Sequence, residues 1–426
     1  MTTADKIDKN LFPTPEQIAP QVRKLQKFAL ISAVVGLVLC VIGAKYQQQS
    51  FFQSYLIAYL FWLGVSVGAL GFLMLHFCAG GGWGFLIRRP LEAASKLFPL
   101  LIILGIPLVF GAKNLFVWMD PAALSDPLLA AKSAYLNVPF FWIRAVVYFA
   151  VFLIFAYLGC KWSAEQDERC NPQTYHRLNL LGPAGIVFIS LSVTFMAYDW
   201  VLSLTPHYYS SVFGLIICAT DVVTMLALMF VLLHYLAGHI PLLAKIPDNY
   251  VRDLGNVMLA ATLAWAWFSF SQYIISYSGN ISHEAMWYTM RRAGGWRIMG
   301  AIVCVLHFGL PFLLLQSSSL KTRTANLAKF GYFILAMRFL NWVWLVRPAF
   351  DAKVMFYIAD VGAMLFIGGL WLWFFGQQIM KRPLVPLYDP RFLKYWIVAQ
   401  HNMHEHELHA GEPVHAGEEE GVGSHT

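Results

Sequence analysis

Charged residues are scarce in this sequence of 426 residues: only 12% are Asp, Glu, Lys or Arg, whereas soluble domains carry about 25%. Hydrophobic residues make up 58% of the chain and aromatic residues 16%. The apolar residues form long continuous runs and do not alternate with polar ones, which excludes a closed β-barrel. The composition therefore predicts an all-α integral membrane protein.

Motifs that bind redox metals are also missing. The chain has six cysteines, and none belongs to a CxxC or CxxCH motif or to a four-cysteine cluster. This pattern argues against covalent c-type haem and against iron–sulfur ligation by this chain alone. The histidines of the apolar runs do not form the repeated facing pairs that haem b needs. We therefore predict no covalently bound cofactor and no metal site in this chain.

Ten apolar runs are long enough to cross a hydrocarbon core of about 30 Å, which needs roughly 20 helical residues. They cover residues 25–44, 51–78, 97–117, 139–160, 177–203, 211–237, 252–277, 296–317, 324–346 and 354–377. We predict a polar N-tail at 1–24, a ten-helix membrane domain at 25–378, a surface segment at 379–400 and a disordered tail at 401–426. The last tail is rich in His and Glu and has too few apolar residues to build a core.

The distribution of Lys and Arg predicts the orientation of the chain. These residues concentrate in both tails and in the connections that follow helices 2, 4, 6 and 8. Positive charge is retained on the cytoplasmic side of a membrane, so both termini are predicted to be cytoplasmic. The net charge of +7 is then a topology signal, and we predict lipids and no nucleic acid as partners.

Ionisable side chains inside or at the edges of the apolar runs are the candidate functional residues. A charge in hydrocarbon costs about 2.5–3.5 kcal/mol on insertion scales, so it usually marks an ion or proton route, a ligand site or a buried pair. The candidates for a proton path are His76, Lys113, Arg144, Asp199, Asp221, His307, Arg338 and Asp360. His234 also lies in a run, but near the interface, where we expect it and His76 to be solvated or hydrogen-bonded and not to be ligands.

Asp221 is the candidate that is hardest to explain as structural. It lies about 15 Å into helix 6 at 1.5 Å per residue, and a carboxylate at that depth needs a proton or a partner on another helix. His307 has a similar depth and is the expected partner. The alternative is that the charges form structural ion pairs, Arg338 with Asp360 and either Lys113 or Arg144 with Asp199.

The most specific local signature joins helices 5 and 6. It reads AYDWVLSLTPHYYSSVFG and covers residues 197–214. It resembles the YDWxxSLxPxWYSxxFG element of the NrfD-like membrane subunits of alternative complex III, a bacterial quinol:cytochrome c oxidoreductase. Two positions depart from that pattern: Tyr208 stands where Trp is expected, and Thr205 where an acidic residue is common. Length and helix number are similar to the smaller of the two such subunits.

The resemblance implies two four-helix bundles, helices 2–5 and 6–9, flanked by helices 1 and 10. It implies a bacterial inner-membrane subunit that supports quinol oxidation, has no redox centre of its own and moves protons through its buried polar residues. Multihaem cytochromes c, an iron–sulfur subunit, a sister NrfD-like subunit and a terminal oxidase are the implied partners; the haem c and iron–sulfur clusters are expected on them. Quinone or quinol, if bound by this chain, is expected near Asp199 and Trp200.

Two other functions remain open at this point. A proton- or ion-coupled transporter would also place charges in the membrane, but it would need inverted repeats and broken helices. Pro107, Pro183 and Pro311 are able to interrupt helices, yet they form no matched pair. A structural anchor for extrinsic redox subunits is the third alternative.

Overall fold

A computed structural model describes residues 15–168, 171–237, 248–384 and Asp389. All regular elements in these residues are helices, and they contain no strand. The all-α prediction is therefore confirmed for this part of the chain. The predicted tail at 401–426 and most of the predicted surface segment at 379–400 lie outside the described residues.

Fifteen α-helices are described, nine of them long and continuous. The long ones are α1 (Pro15–Tyr46), α2 (Gln48–Ala79), α4 (Phe98–Leu115), α6 (Val138–Glu168), α7 (Pro172–Trp200), α8 (Phe213–Ala237), α9 (Asp248–Gly279), α14 (Thr324–Val346) and, closing the domain, α15 (Ile358–Ile379). The shorter ones are α3 (Gly82–Ser95), α5 (Pro127–Ala131), α10 (Ser282–Met290), α11 (Trp296–Ile302), α12 (Leu310–Leu314) and α13 (Ser318–Thr322). A π-helical segment, Val303–Gly309, joins α11 to α12.

Nine helical segments of the described chain are long and apolar enough to cross a membrane. They are Pro15–Tyr46, Gln48–Ala79, Phe98–Leu115, Val138–Asp167, Pro172–Leu204, Phe213–Leu236, Asn249–Gly279, Trp296–Leu314 and Ile358–Ile379. The chain is thus a multi-pass membrane protein. α14 has 23 residues, enough length for a crossing, but it is not among the nine; its apolar sequence is interrupted by Lys329, Arg338 and Asn341.

Helix α2 is the centre of the domain. It is apolar on all sides, as expected for a helix surrounded by others, and 94% of its most apolar window is buried. It contacts α4, α6 and α7 on one side and α8, α14 and α15 on the other. Helices α8, α9 and α14 pack together with the π segment, so polar residues from several helices are able to meet next to α2.

Helices α1 and α15 form a tightly packed pair at the edge of the domain. Glycines spaced by seven residues line the contact, Gly36 and Gly43 on α1 and Gly362 and Gly369 on α15. A Cβ at Gly36 would lie 2.7 Å from the Cα of Phe366, so only glycine permits this approach. Small residues at such contacts are typical of membrane helices, where close backbone packing replaces the hydrophobic effect as the driving force.

Several element boundaries differ from the sequence prediction. α1 begins at Pro15, within the predicted polar tail, and continues through the predicted start at residue 25. Two connections between the predicted runs contain short helices: α5 lies between α4 and α6, and α10 lies between α9 and α11. The predicted helix at 296–317 is divided into α11, the π segment and α12, for a reason that concerns the candidate site.

Candidate functional site in the membrane domain

Three of the predicted residues, Asp221, His307 and Arg338, lie in one buried cluster. Asp221 comes from α8, His307 from the π segment and Arg338 from α14. Their exposed fractions are 2%, 0% and 0%. Helix periodicity puts each of them on the inner face of its own helix, and the packing of α8, α14 and the π segment brings these faces together. We call these three residues the central cluster.

Trp265 of α9 connects the cation and the imidazole of the central cluster. Its ring centroid is 4.2 Å from that of His307, and the guanidinium carbon of Arg338 lies 5.1 Å from its ring, within the range of a cation–π interaction. Arg338 Nη1 donates a long hydrogen bond of 3.5 Å to the hydroxyl of Thr220, the neighbour of Asp221. Arg338 also interacts electrostatically with both Asp221 and His307.

The predicted direct pair of Asp221 and His307 is not formed in the described residues. Both carboxylate oxygens of Asp221 and both ring nitrogens of His307 have no hydrogen-bond partner there, nor do Nε and Nη2 of Arg338 and Nδ2 of Asn341. Most buried polar atoms in proteins are hydrogen-bonded, and exceptions need an explanation. Buried donors and acceptors without protein partners on the three residues of the central cluster suit bridging water and proton exchange.

Two glycines of α2 form the wall behind Asp221. A Cβ at Gly64 would lie 3.1 Å from Asp221 Cγ and still closer to Oδ1, and one at Gly68 would lie 2.7 Å from the carbonyl carbon of Asp221. The GxxxG spacing of Gly64 and Gly68 allows close helix contact, and here it also leaves room for the carboxyl group of Asp221. Gly71, one turn further along α2, has no atom within 4 Å of its Cβ position.

The π segment around His307 has a local cause. Pro311 has no N–H to donate to the carbonyl of His307 four residues earlier, and its ring would clash with that carbonyl in a regular α-helix. The backbone widens instead, and the N–H of Leu310 donates to the carbonyl of Val305 five residues back. π segments of this kind are common at functional sites. Pro311 was expected to be able to interrupt its helix. The interruption takes the form of a widened, π-helical turn, which changes the direction of the side chains near His307.

Asp199 and Arg144 form a closed ion pair, as one of the predicted alternatives had it. Arg144 donates from Nε and Nη2 to the two carboxylate oxygens of Asp199, both at 2.8 Å, and the hydroxyl of Tyr148 donates at 2.7 Å. The guanidinium also lies 3.9 Å from the ring of Tyr135. This carboxylate is fully satisfied, so it is a packing element. The alternative partner Lys113 was a wrong prediction, because its side chain is exposed at the end of α4.

Asp360 pairs with Arg347, so the predicted pair with Arg338 was wrong. Arg347 lies on the 3₁₀ turn that follows α14 and donates to Asp360 and to the hydroxyl of Ser54 on α2. Asp360 also accepts from the backbone N–H of Tyr357 at 2.8 Å, which caps the start of α15. Arg338 is left without a carboxylate partner at ion-pair distance among the described residues.

The two interfacial histidines differ from each other. His76, expected to be solvated or hydrogen-bonded, is only 1% exposed. It is shielded from solvent because α3 folds back over the end of α2 and places Trp83 and Phe85 against its ring, with centroids 5.6 and 5.0 Å away. His234 is exposed, as expected. His76 lies outside the central cluster, so its predicted place on a common proton path stays untested.

A second charged network was not predicted from the sequence. It joins α3 to α6 and to the chain after α15: Arg88 contacts Glu92 and Asp389, and Arg89 contacts Glu92 and Asp167. Burial by itself raises the pKa of Glu92, but Arg89 and Arg88 outweigh it and lower the pKa to about 2. The i, i+4 spacing of Arg88 and Glu92 is the sequence pattern that could have predicted this network. The candidate residues were taken only from the apolar runs, and α3 lies between two of these runs.

Arg291 is another buried cation, and it lies between the predicted runs 252–277 and 296–317. Its guanidinium stacks on Trp287 at 3.3 Å and donates to the carbonyls of Trp287, Trp344 and Leu345. Burial lowers the pKa of Arg291 to about 9. Two of its acceptors are at the C-terminal end of α14, where carbonyls lack helical partners, so Arg291 is a helix cap.

Trp200, one of the two residues predicted near a quinone, lines an apolar pocket of about 410 Å³ between α2, α4, α6 and α7. Asp199 does not line it. The only tyrosine hydroxyl in the lining, that of Tyr59, already donates to the carbonyl of Leu101 at 3.1 Å. The pocket therefore offers a surface for a hydrocarbon chain and few groups that could hold a quinone ring.

No known family model and no curated protein matches this chain.

Proposed function

We propose that this chain is a ten-helix, NrfD-like membrane subunit of a bacterial quinol:cytochrome c oxidoreductase, alternative complex III, most similar to its smaller such subunit, ActF. In this proposal it lies in the inner membrane with both termini in the cytoplasm. It carries no redox centre and assists quinol oxidation by moving protons through the central cluster. The support for the complex is the resemblance of residues 197–214 to the family element, and the support for proton movement is the central cluster.

The observation that carries the proposal is the set of unpartnered polar atoms on Asp221, His307 and Arg338. A purely structural ion pair would be satisfied, as Asp199 and Arg144 are. A carboxyl group without hydrogen bonds in a low-dielectric interior is free to gain or lose a proton when the nearby charge changes. In this proposal His307 accepts that proton on a ring nitrogen, and the charge of Arg338, which interacts with both residues, couples their protonation.

The two implied bundles, helices 2–5 and 6–9, remain part of the proposal. α2 contacts α4, α6 and α7, and α14 contacts α8 and the π segment, as such bundles require, but α2 also contacts α8 and α14. The residues of the central cluster come from helices of the second implied bundle. In the proposed complex, quinol gives two electrons to iron–sulfur clusters and haem c on partner subunits and releases two protons, while this chain moves further protons.

A proton- or ion-coupled transporter is the second candidate, and one observation favours it: the regular α-helical pattern of one described span is interrupted by the π segment before Pro311. Transporter sites are typically built on such interruptions. Its weakness is that the matching interruption expected from an inverted repeat was not found in the sequence. A structural anchor, the third candidate, gives no reason for the unpartnered atoms of the central cluster.

The test uses the purified complex in liposomes, with quinol turnover and internal pH measured together. In the Asp221→Asn variant we expect the number of protons moved per electron to fall while turnover falls less, because Asn keeps the volume but cannot release a proton. Asp120→Asn, a change at an exposed position, is the matched control. An unchanged proton-to-electron ratio in Asp221→Asn would overturn the role of the central cluster, and a chain that purifies without multihaem cytochrome partners would overturn the complex.

A further inference from the structure

The pocket beside Trp200 and the exposed Lys113 lie on the same side of α4. Ile102, Ile106 and Val109 line the pocket, and Lys113 follows them at spacings of four, three and four residues. Residues spaced in this way share one face of a helix. On this face of α4 the apolar lining of the pocket is therefore followed, near the C-terminal end of the helix, by one cationic side chain.

We propose that this face binds one anionic phospholipid, with an acyl chain in the pocket and the phosphate on Lys113. The lining is aliphatic and aromatic, with Leu56, Phe116, Phe149 and Trp200 as its walls, and it has no charged side chain. From Ile102 to Phe116 the pocket follows α4 for about 21 Å at 1.5 Å per residue, a length that suits most of an acyl chain in a core of about 30 Å.

The open side of the pocket faces the lipid. Ile102, Ile106, Val109 and Val146 line it and are 39%, 47%, 47% and 69% exposed, although each lies within a candidate membrane span. Apolar side chains exposed at this depth are in contact with hydrocarbon, so the pocket is reached sideways from the bilayer. A water-filled site is disfavoured there because water would find almost no polar partner.

Lys113 has the properties of a headgroup contact. It lies in the last turn of α4, where a cation is favoured by the unpaired carbonyls, and it makes no ion pair with any described residue. Its long side chain is able to extend from the apolar face to the membrane surface. The negative charge of a phosphate is the complement of this unpaired cation, which favours an anionic lipid over a zwitterionic one and over an isoprenoid quinone, whose ring carries no charge.

The experiment uses the whole protein in nanodiscs of phosphatidylcholine with a minor fraction of phosphatidylglycerol, and native mass spectrometry counts the lipids retained after gentle release. Lys113→Gln should lower retention of phosphatidylglycerol about fivefold, because one basic residue at the surface contributes about 1 kcal/mol, and should leave phosphatidylcholine unchanged. Lys45→Gln is the matched control: Lys45 is also exposed and lies in the last turn of α1, whose span runs in the same direction as α4.

A second variant tests the pocket for the acyl chain separately from the headgroup contact. Ala150 lines the pocket, and Ala150→Phe should fill it and lower retention of both lipids. Equal retention of phosphatidylglycerol in wild type and Lys113→Gln would overturn the proposal, as would retention that is lost with Lys45→Gln to the same extent. If the protein retains a neutral quinone and Lys113→Gln does not change this retention, the pocket binds a quinone tail and the phospholipid proposal is overturned. None of these outcomes depends on proton movement by the central cluster.

Discussion

Two buried aspartates with opposite surroundings predict opposite effects of one substitution. Asp199 accepts three hydrogen bonds, two from Arg144 at 2.8 Å and one from Tyr148 at 2.7 Å. Asp221 accepts none among the described residues. Asp→Asn keeps the size of the side chain and removes its charge, so the two variants Asp199→Asn and Asp221→Asn compare a satisfied carboxylate with an unsatisfied one.

The magnitudes follow from what each substitution leaves behind. In Asp199→Asn the guanidinium of Arg144 loses its counter-charge and faces an amide N–H₂ group at one of its two contacts. Removing one partner of a buried ion pair costs about 3–5 kcal/mol. Asp221→Asn breaks no hydrogen bond of the described residues, and we expect a change within about 1 kcal/mol, as for substitutions that disturb no specific interaction.

Thermal unfolding in detergent at one scan rate measures the difference, since membrane proteins commonly unfold irreversibly and only apparent midpoints are comparable. One kcal/mol shifts the midpoint by roughly 2 °C in chains of 150–250 residues and by less in longer ones. Asp199→Asn should therefore melt several degrees below wild type, and Asp221→Asn within a degree or two of it.

The reasoning is refuted by either of two results. If Asp221→Asn lowers the midpoint as much as Asp199→Asn, then Asp221 is an ionised partner of Arg338 that stabilises the fold, and the central cluster is structural. If Asp199→Asn leaves the midpoint unchanged, the ion pair with Arg144 contributes no stability, and the contrast between the two carboxylates loses its meaning.

Three further predictions concern other parts of the chain. Gly64→Ala should impair proton movement by displacing the Asp221 carboxyl group, at a packing cost of about 1–3 kcal/mol, whereas Gly71→Ala, with no neighbour within 4 Å, should leave it intact; equal effects in the two would contradict the role of the glycine wall. Glu92→Gln should destabilise the protein at pH 7 by about 3 kcal/mol, because the pKa of Glu92 is lowered from 4.5 to about 2 and each unit is worth about 1.4 kcal/mol. A lowered pKa stabilises the fold above the unfolded-state pKa, so the difference in stability between wild type and Glu92→Gln should persist down to about pH 5 and shrink as the pH falls toward 2. Urea unfolding at several pH values measures this difference, and a difference that does not change with pH would contradict the prediction. The chain purified alone should show no Soret band and no stoichiometric iron, and either signal would contradict the absence of its own redox centres.

The membrane class of the protein and the selection of Asp221 and His307 as buried candidates of similar depth followed from the sequence, whereas the place of Arg338 beside them did not. Long continuous apolar runs interrupted by single charges are typical of membrane-spanning helices. The hydrocarbon core offers no water to the backbone, and a helix satisfies its own backbone polar groups. The depth of Asp221 and His307 along their helices was also readable, since the rise per residue is constant. The position of Pro311 indicated an interruption, and the π segment lies there.

The partners of the charges were decided by tertiary structure. Helical spacing determines which residues share a face, but not which neighbouring helix that face meets or how the two helices are rotated about their axes. Asp360 meets Arg347 and not Arg338 because the turn after α14 brings Arg347 back against α2 and α15. His76 is buried because α3 folds over it, and Lys113 is exposed because α4 turns that face outward. Such contacts depend on packing between distant segments, and a one-dimensional pattern of hydrophobicity and charge does not specify them.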